Sequence, residues 1–183
     1  SGSDADLNSL NISSELNASG LFYPTADGSN GHVLTTDGGG NLTFEAIDHL
    51  TANVKNVSGG TLFKGTPVHA TGASGNATEV IAASASVAST MPATFILNED
   101  LADEAEGEAL IAGFIQNVDT SAFSSGDVVY VGIDGGFTNI KPTGSANQIQ
   151  NLGIVTKVHA TNGSGVVYGS GRSNDVPNLP EGR

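Results

Sequence analysis

Residues 23–45 read YPTADGSNGHVLTTDGGGNLTFE, and no other stretch constrains the fold as tightly. Two short runs of β-forming residues are separated by Asp-Gly, Asn-Gly and Gly-Gly-Gly, which supply the positive φ angles of tight turns. Side chains alternate along a strand, so His32, Leu34 and Thr36 are expected on one side of the first run and Val33 and Thr35 on the other. Asp37-Gly38-Gly39-Gly40-Asn41 is expected to turn the chain, with Leu42 to Ala46 running back as a hairpin. An isolated hairpin is marginal in water. With so little bulk of its own, this segment needs neighbouring copies or partner chains to cover its apolar side chains. Val33, Leu34, Leu42 and Phe44 are therefore candidate self-association residues.

Composition narrows the partners. The chain of 183 residues suits one or two small domains, and 25 glycines with 5% aromatics leave each segment a thin core. Six Lys and Arg stand against 19 Asp and Glu, a formal net charge of -13. So acidic a surface repels phosphate, which argues against nucleic acid and anionic membrane surfaces as partners. Runs such as Ala109 to Ile115 are too short to span a bilayer, so no membrane insertion is expected. There is no cysteine, hence no thiolate zinc site or disulfide. No signal peptide is visible and the first residue is Ser1, so the chain is expected to be processed or an excerpt of a longer protein.

The predicted fold class is all-β: a Gly-rich β repeat followed by a small β-sandwich or barrel domain, with extended termini. Residues 1–22 form an N-terminal arm of loose pattern, in which Leu7, Leu10, Ile12 and Leu16 are further self-association candidates. Residues 23–53 hold the hairpin repeat and a connector, Ile47 to Asn53. Residues 54–170 form the small domain, and residues 171–183 a polar tail broken by proline. Within the domain, strands are expected at Val54–Val57, Pro67–Thr71, Glu79–Ala83, Ala93–Leu97, Leu110–Val118, Val128–Val131, Phe137–Ile140, Leu152–Ala160 and Gly165–Tyr168. The acidic run Asn98–Glu108 has room for one helical turn, limited by Gly107. Two echoes recur inside the domain. GTPVHA (65–70) parallels GDVVYV (126–131), each preceded by a Phe (Phe63, Phe123) and each reading as a turn feeding a strand. VHATGASG (68–75) parallels VHATNGSG (158–165), both expected as strand ends entering a turn. Pseudo-symmetric halves and convergent turn chemistry both account for them.

The block YPTADGSNGHVLTTDGGGNLTF resembles a repeat of bacteriophage tail fibres and related virion appendages. The blocks VKNVSGGTLFKGTPVHATG, SSGDVVYVGIDGGFTNIKPTG and QNLGIVTKV resemble a small β domain of phage tail fibres and head-decoration proteins. GRSNDVPNLPEGR is similar to a linker in long phage fibres. Together these blocks cover most of residues 23–183. The resemblance implies a homotrimeric shaft or collar module at a virion appendage, with other fibre segments as its further partners. It supplies no catalytic residues, and no heptad stretch for a coiled-coil trimeriser is present.

Chemistry finds little purchase in the pattern. His32, His49, His69 and His159 are scattered, and the two in the VHAT echo make at most a metal pair, short of zinc's three or four ligands. The acids Glu99, Asp100, Asp103, Glu104, Glu106 and Glu108 do not follow a calcium-loop spacing and read as a solvated face. No nucleophile elbow is present and tryptophan is absent, so neither an enzyme nor a cofactor is expected. The alternative reading is a subunit of an extracellular helical filament linked by terminal strand exchange. There, the six Asn-x-Ser/Thr sites at Asn11, Asn17, Asn41, Asn56, Asn76 and Asn162 would carry sugars.

Overall fold

The computed structural model describes residues 16–169 and 173–174. The chain divides into two compact units at Ile47/Asp48. Among the described residues every regular element is a strand except a 3₁₀ turn at Ala88–Thr90, so the fold is all-β as its alternation predicts.

In the first unit, β1 (Asn17–Ala18) and β2 (Leu21–Phe22) form a small antiparallel hairpin. Ser19 and Gly20 turn it with φ of 54° and 84°, the two positive angles that a two-residue hairpin loop requires. β3 (His32–Thr36) and β4 (Leu42–Ala46) pair along all five positions, from His32 opposite Ala46 to Thr36 opposite Leu42. Both strands have the bounds expected from the sequence.

The second unit holds β5 (His49–Asn56), β6 (Pro67–Ser74), β7 (Ala77–Ala82), β8 (Phe95–Leu97), β9 (Glu106–Val118), β10 (Val128–Val131), β11 (Phe137–Thr138), β12 (Ile149–Lys157), β13 (Gly163–Val167) and β14 (Ser173–Asn174). Strand order is β11-β10-β12-β13-β9-β5-β7-β6-β8, with β14 on β12, and β8 pairs again with β9. The five strands β9, β5, β7, β6 and β8 therefore close into a ring, and β13, β12, β10 and β11 extend from β9 as a wing. Only the β5–β7 pairing is parallel among the described strands.

β9 makes this possible because it is long. One edge pairs with β5 from Glu106 to Gly113. The other pairs with β8 at Ala109 and Leu110 and with β13 from Gly113 to Val118. Gly113, at φ 119°, sits where the two pairings meet, and a Cβ there would lie 2.9 Å from the Cβ of His49. Only glycine fits both the angle and the approach.

Alternation then sorts side chains into two cores. Val54, Val68, Val80, Leu97 and Ala109, one from each strand of the ring, fill its interior with Leu62 and Leu101. Their neighbours Ile96 and Leu110 point the other way and pack with Ile115, farther along β9, and with Val131, Leu152 and Val167 of the wing. Two fully buried polar side chains splice irregular backbone into these cores. The Asn56 amide donates to the carbonyls of Gly60, Leu101 and Ala102 at 2.7, 3.0 and 3.1 Å. Gln150 accepts from the Ala93 N–H at 2.7 Å and donates to its carbonyl at 2.8 Å, so a side chain stands in for a strand.

The structure corrects several expectations. The connector placed at Ile47–Asn53 is mostly the start of β5, because its partner β9 supplies a ladder that this mixed segment does not advertise. The acidic run forms no helical turn: Leu101 bridges Leu62, Glu104 turns the chain at φ 63°, and β9 begins at Glu106. The VHAT echo does not hold in three dimensions. His69 lies within β6, whereas His159 lies beyond β12 in the turn before β13. The other echo does hold. Gly65 and Gly126 both have φ 89°, and each N–H donates at 2.8 Å to the partner strand, to Leu97 and Val155 respectively. The residue after each glycine accepts in return, at 3.0 and 2.9 Å.

Candidate self-association site

The β3–β4 register gives each face of the Gly-rich hairpin a different chemistry. Leu34 stands opposite Phe44 and Thr36 opposite Leu42, so Leu34, Leu42 and Phe44 share one face. Gly28 closes under this face, where a Cβ would lie 2.7 Å from the Cβ and Cγ of Phe44. Val33 stands opposite Glu45 on the other face, with Thr35 opposite Thr43. There the Thr35 hydroxyl donates to the Thr43 carbonyl at 3.1 Å. The structure therefore brings three of the four hairpin candidates together and leaves Val33 on the polar side.

Asp37 fixes the turn. Its carboxylate accepts the N–H of Gly39 at 2.7 Å and of Asn41 at 3.0 Å. The Asn41 side-chain amide, with these backbone donors, holds the Asp37 carboxyl below its ordinary value. Gly38 and Gly40 take φ of 75° and 101°, and a Cβ on Gly40 would meet the Gly20 carbonyl oxygen at 2.8 Å. That approach ties the two small hairpins together: the Phe22 N–H donates to the Gly40 carbonyl at 2.9 Å. Leu16 is half-buried, and its carbonyl accepts the Tyr23 N–H at 2.9 Å. Leu7, Leu10 and Ile12 lie outside the described residues.

No residue from Leu16 to Ile47 is buried. Leu34 is 43% exposed, Val33 36% and Ile47 72%. Leu21 and Phe22 are exposed as well, and the sequence reading did not count them among the self-association candidates although they sit side by side just before the repeat. Among its described residues this unit has hydrogen-bonded ladders and fixed turns but no interior. Burial of apolar surface is the main stabilising term in folding. Here that surface is held out in ordered strands.

Elsewhere the polar groups are occupied locally. His69 Nδ1 lies 2.8 Å from the Pro92 carbonyl oxygen, while His159 Nδ1 accepts the N–H groups of Thr161 and Asn162 at 3.1 and 3.0 Å. His49 bonds to Asp48. Glu99 accepts the Glu108 N–H at 2.7 Å, Asp100 that of Lys64 at 2.7 Å, and Glu104 pairs with Lys55 at 2.6 Å. Among the described residues no three His, Asp or Glu are grouped to hold a metal ion, and no helix is long and apolar enough to cross a membrane. Of the Asn-x-Ser/Thr sites, Asn56 is closed to modification in the folded chain, being fully buried with its amide donated three ways.

No known protein-family model matches the chain, and no curated protein matches it. Among solved structures, the N base of the head fibre protein gp8.5 of bacteriophage phi29 matches over 64% of this chain and 92% of that one. The identity is 10% and the TM-score 0.41, a likeness that carries no argument about this chain's role.

Proposed function

We propose that the chain is a structural module of a phage tail fibre or related virion appendage that works by self-association into a β-rich fibre. The observation that carries this reading is the unit ending at Ile47, where two hairpins are built and no described residue is buried. Its occupant is a further copy of the same hairpin, meeting the face of Leu34, Leu42 and Phe44. The open edges of β3 and β4 favour the same outcome, because unpaired backbone N–H and C=O groups on an edge recruit another strand. The second unit offers much less of this, since five of its strands close into a ring and the wing ends in the two-residue β11. The virion location comes from the sequence blocks quoted above. In this reading the chain has no catalytic step, and its work is mechanical.

Mass photometry and cryo-electron microscopy of the native assembly test the proposal. A closed trimer with residues 32–46 near its axis is the expected result. An open helical polymer would replace the fibre with the filament reading, and a lone monomer at micromolar concentration would overturn both.

A further inference from the structure

The wing of the second unit has two faces, and only one is used by the core. Val131, Leu152, Ile115 and Val167 point inward. On the opposite face a single cross-strand row runs through Val128, Ile154, Val166 and Phe114, each directly opposite the next. Leu50, opposite Ala112, continues the apolar surface onto β5 and is 60% exposed; Val166, mid-row, is 36% exposed. Lys157 is the single charged residue in β10, β11, β12, β13 and residues 109–118. The chain as a whole carries 19 acidic and 6 basic residues.

That contrast identifies the occupant. Two copies at a formal charge of -13 each repel across most of their surfaces, and a face whose strand segments carry no acid, with the Asp48 carboxylate at its border 3.4 Å from the Gln116 side chain, is where they can meet. A basic partner would be drawn instead to the acidic stretch Glu99–Glu108. We propose that this outer face of the wing packs on the same face of a second copy, sheet on sheet. Sheets packed face to face interdigitate their side chains at a spacing of about 10 Å, and a two-fold contact brings each residue of a central row near its own counterpart. The contact is independent of the hairpin and of the fibre reading.

Full-length chains carrying Val166→Glu, Val166→Lys and Leu34→Glu, compared by sedimentation velocity, test it. Burying an unpaired charge at a packed face costs several kcal/mol, so each Val166 variant weakens the wing-to-wing contact by more than about a hundredfold while its melting temperature holds. An equimolar mixture of the two variants restores association, because opposite charges then face each other. Leu34→Glu removes only hairpin contacts and leaves a dimer that Val166→Glu dissolves. Wild-type association by both Val166 variants, or a mixture that stays dissociated, overturns the proposal. So does a Leu34→Glu protein that is already monomeric. If the Val166 variants fail to fold, Leu50→Glu at the exposed end of the surface replaces them, and unchanged association there is equally fatal.

Discussion

Replacing Gln150 by Leu removes a buried side chain that acts as backbone. The amide of Gln150 is fully buried and makes both of its hydrogen bonds to Ala93, at 2.7 and 2.8 Å. Ala93 is itself 1% exposed, so its N–H and carbonyl have no access to water once the amide is gone. Each orphaned group costs about 1–3 kcal/mol, giving roughly 2–6 kcal/mol for the pair. Burying the apolar Leu in place of the amide returns up to about 2 kcal/mol, so from the middle of that range, about 4 kcal/mol, the net loss is about 2–4 kcal/mol. In urea titration, with a slope of about 1.5 kcal/mol/M, that shifts the midpoint of the second unit by roughly 1.5–2.5 M. Gln150→Glu provides the internal control. A protonated carboxyl can donate to the Ala93 carbonyl and accept its N–H, whereas a carboxylate sets two oxygens against each other. Burial and that repulsion raise the folded value above the ordinary ~4.3 of Glu, so stability matches the wild type near pH 4 and is lost as pH rises above it. The reasoning fails if Gln150→Leu costs under about 1 kcal/mol, the worth of one ordinary hydrogen bond, or if Gln150→Glu shows no pH dependence relative to wild type.

Two further perturbations address the ring and the hairpin. Gly113→Ala forces a side chain to φ 119° and against His49, a strain of about 1–3 kcal/mol plus a packing clash of similar size. The expected outcome is a loss of roughly 2–6 kcal/mol, read by chemical denaturation; a neutral substitution would show that β9 does not need glycine there. Asp37 should titrate by carboxyl NMR below its ordinary 3.8, with the amides of Gly39 and Asn41 reporting the same midpoint. Its folded value is depressed, so the turn is stabilised above the ordinary carboxylate range and loosens as pH falls through the lowered value. A midpoint at or above 3.8 would remove the carboxylate from the account of the turn.

The strands of the second unit were legible because each announces itself twice, by period-two alternation and by the Gly, Asn or Asp that ends it. Val128–Val131 was bounded to the residue by Gly126-Asp127 before it and Gly132 after it. Every other expected strand there has an observed counterpart, displaced at its ends where pairing extends or trims it. β5 was missed at its start because His49-Leu50-Thr51-Ala52-Asn53 alternates poorly, and a β-bulge between Leu50 and Thr51 breaks whatever period remains. The β3–β4 hairpin was legible for a simpler reason: few apolar residues and many turn residues leave little choice of partner within the segment. That Val33 and Leu34 belong to opposite faces follows from the same alternation.

Sequence by itself determined where the chain extends, where it turns, and which side chains share a strand face, since these depend on local sterics and on alternation along a few residues. It did not determine which strand lies beside which. Hydrophobic alternation says that Ile96 and Leu97 face opposite ways but cannot say that one joins the core that holds Val131 and the other the core that holds Val54. The closure of β8 on β9, the parallel β5–β7 pair and the grip of Gln150 on Ala93 were decided only when the two cores formed. The ladder between two strands is satisfied by any backbone, so the choice of partner comes from which arrangement buries the most apolar surface while leaving no polar group unpaired.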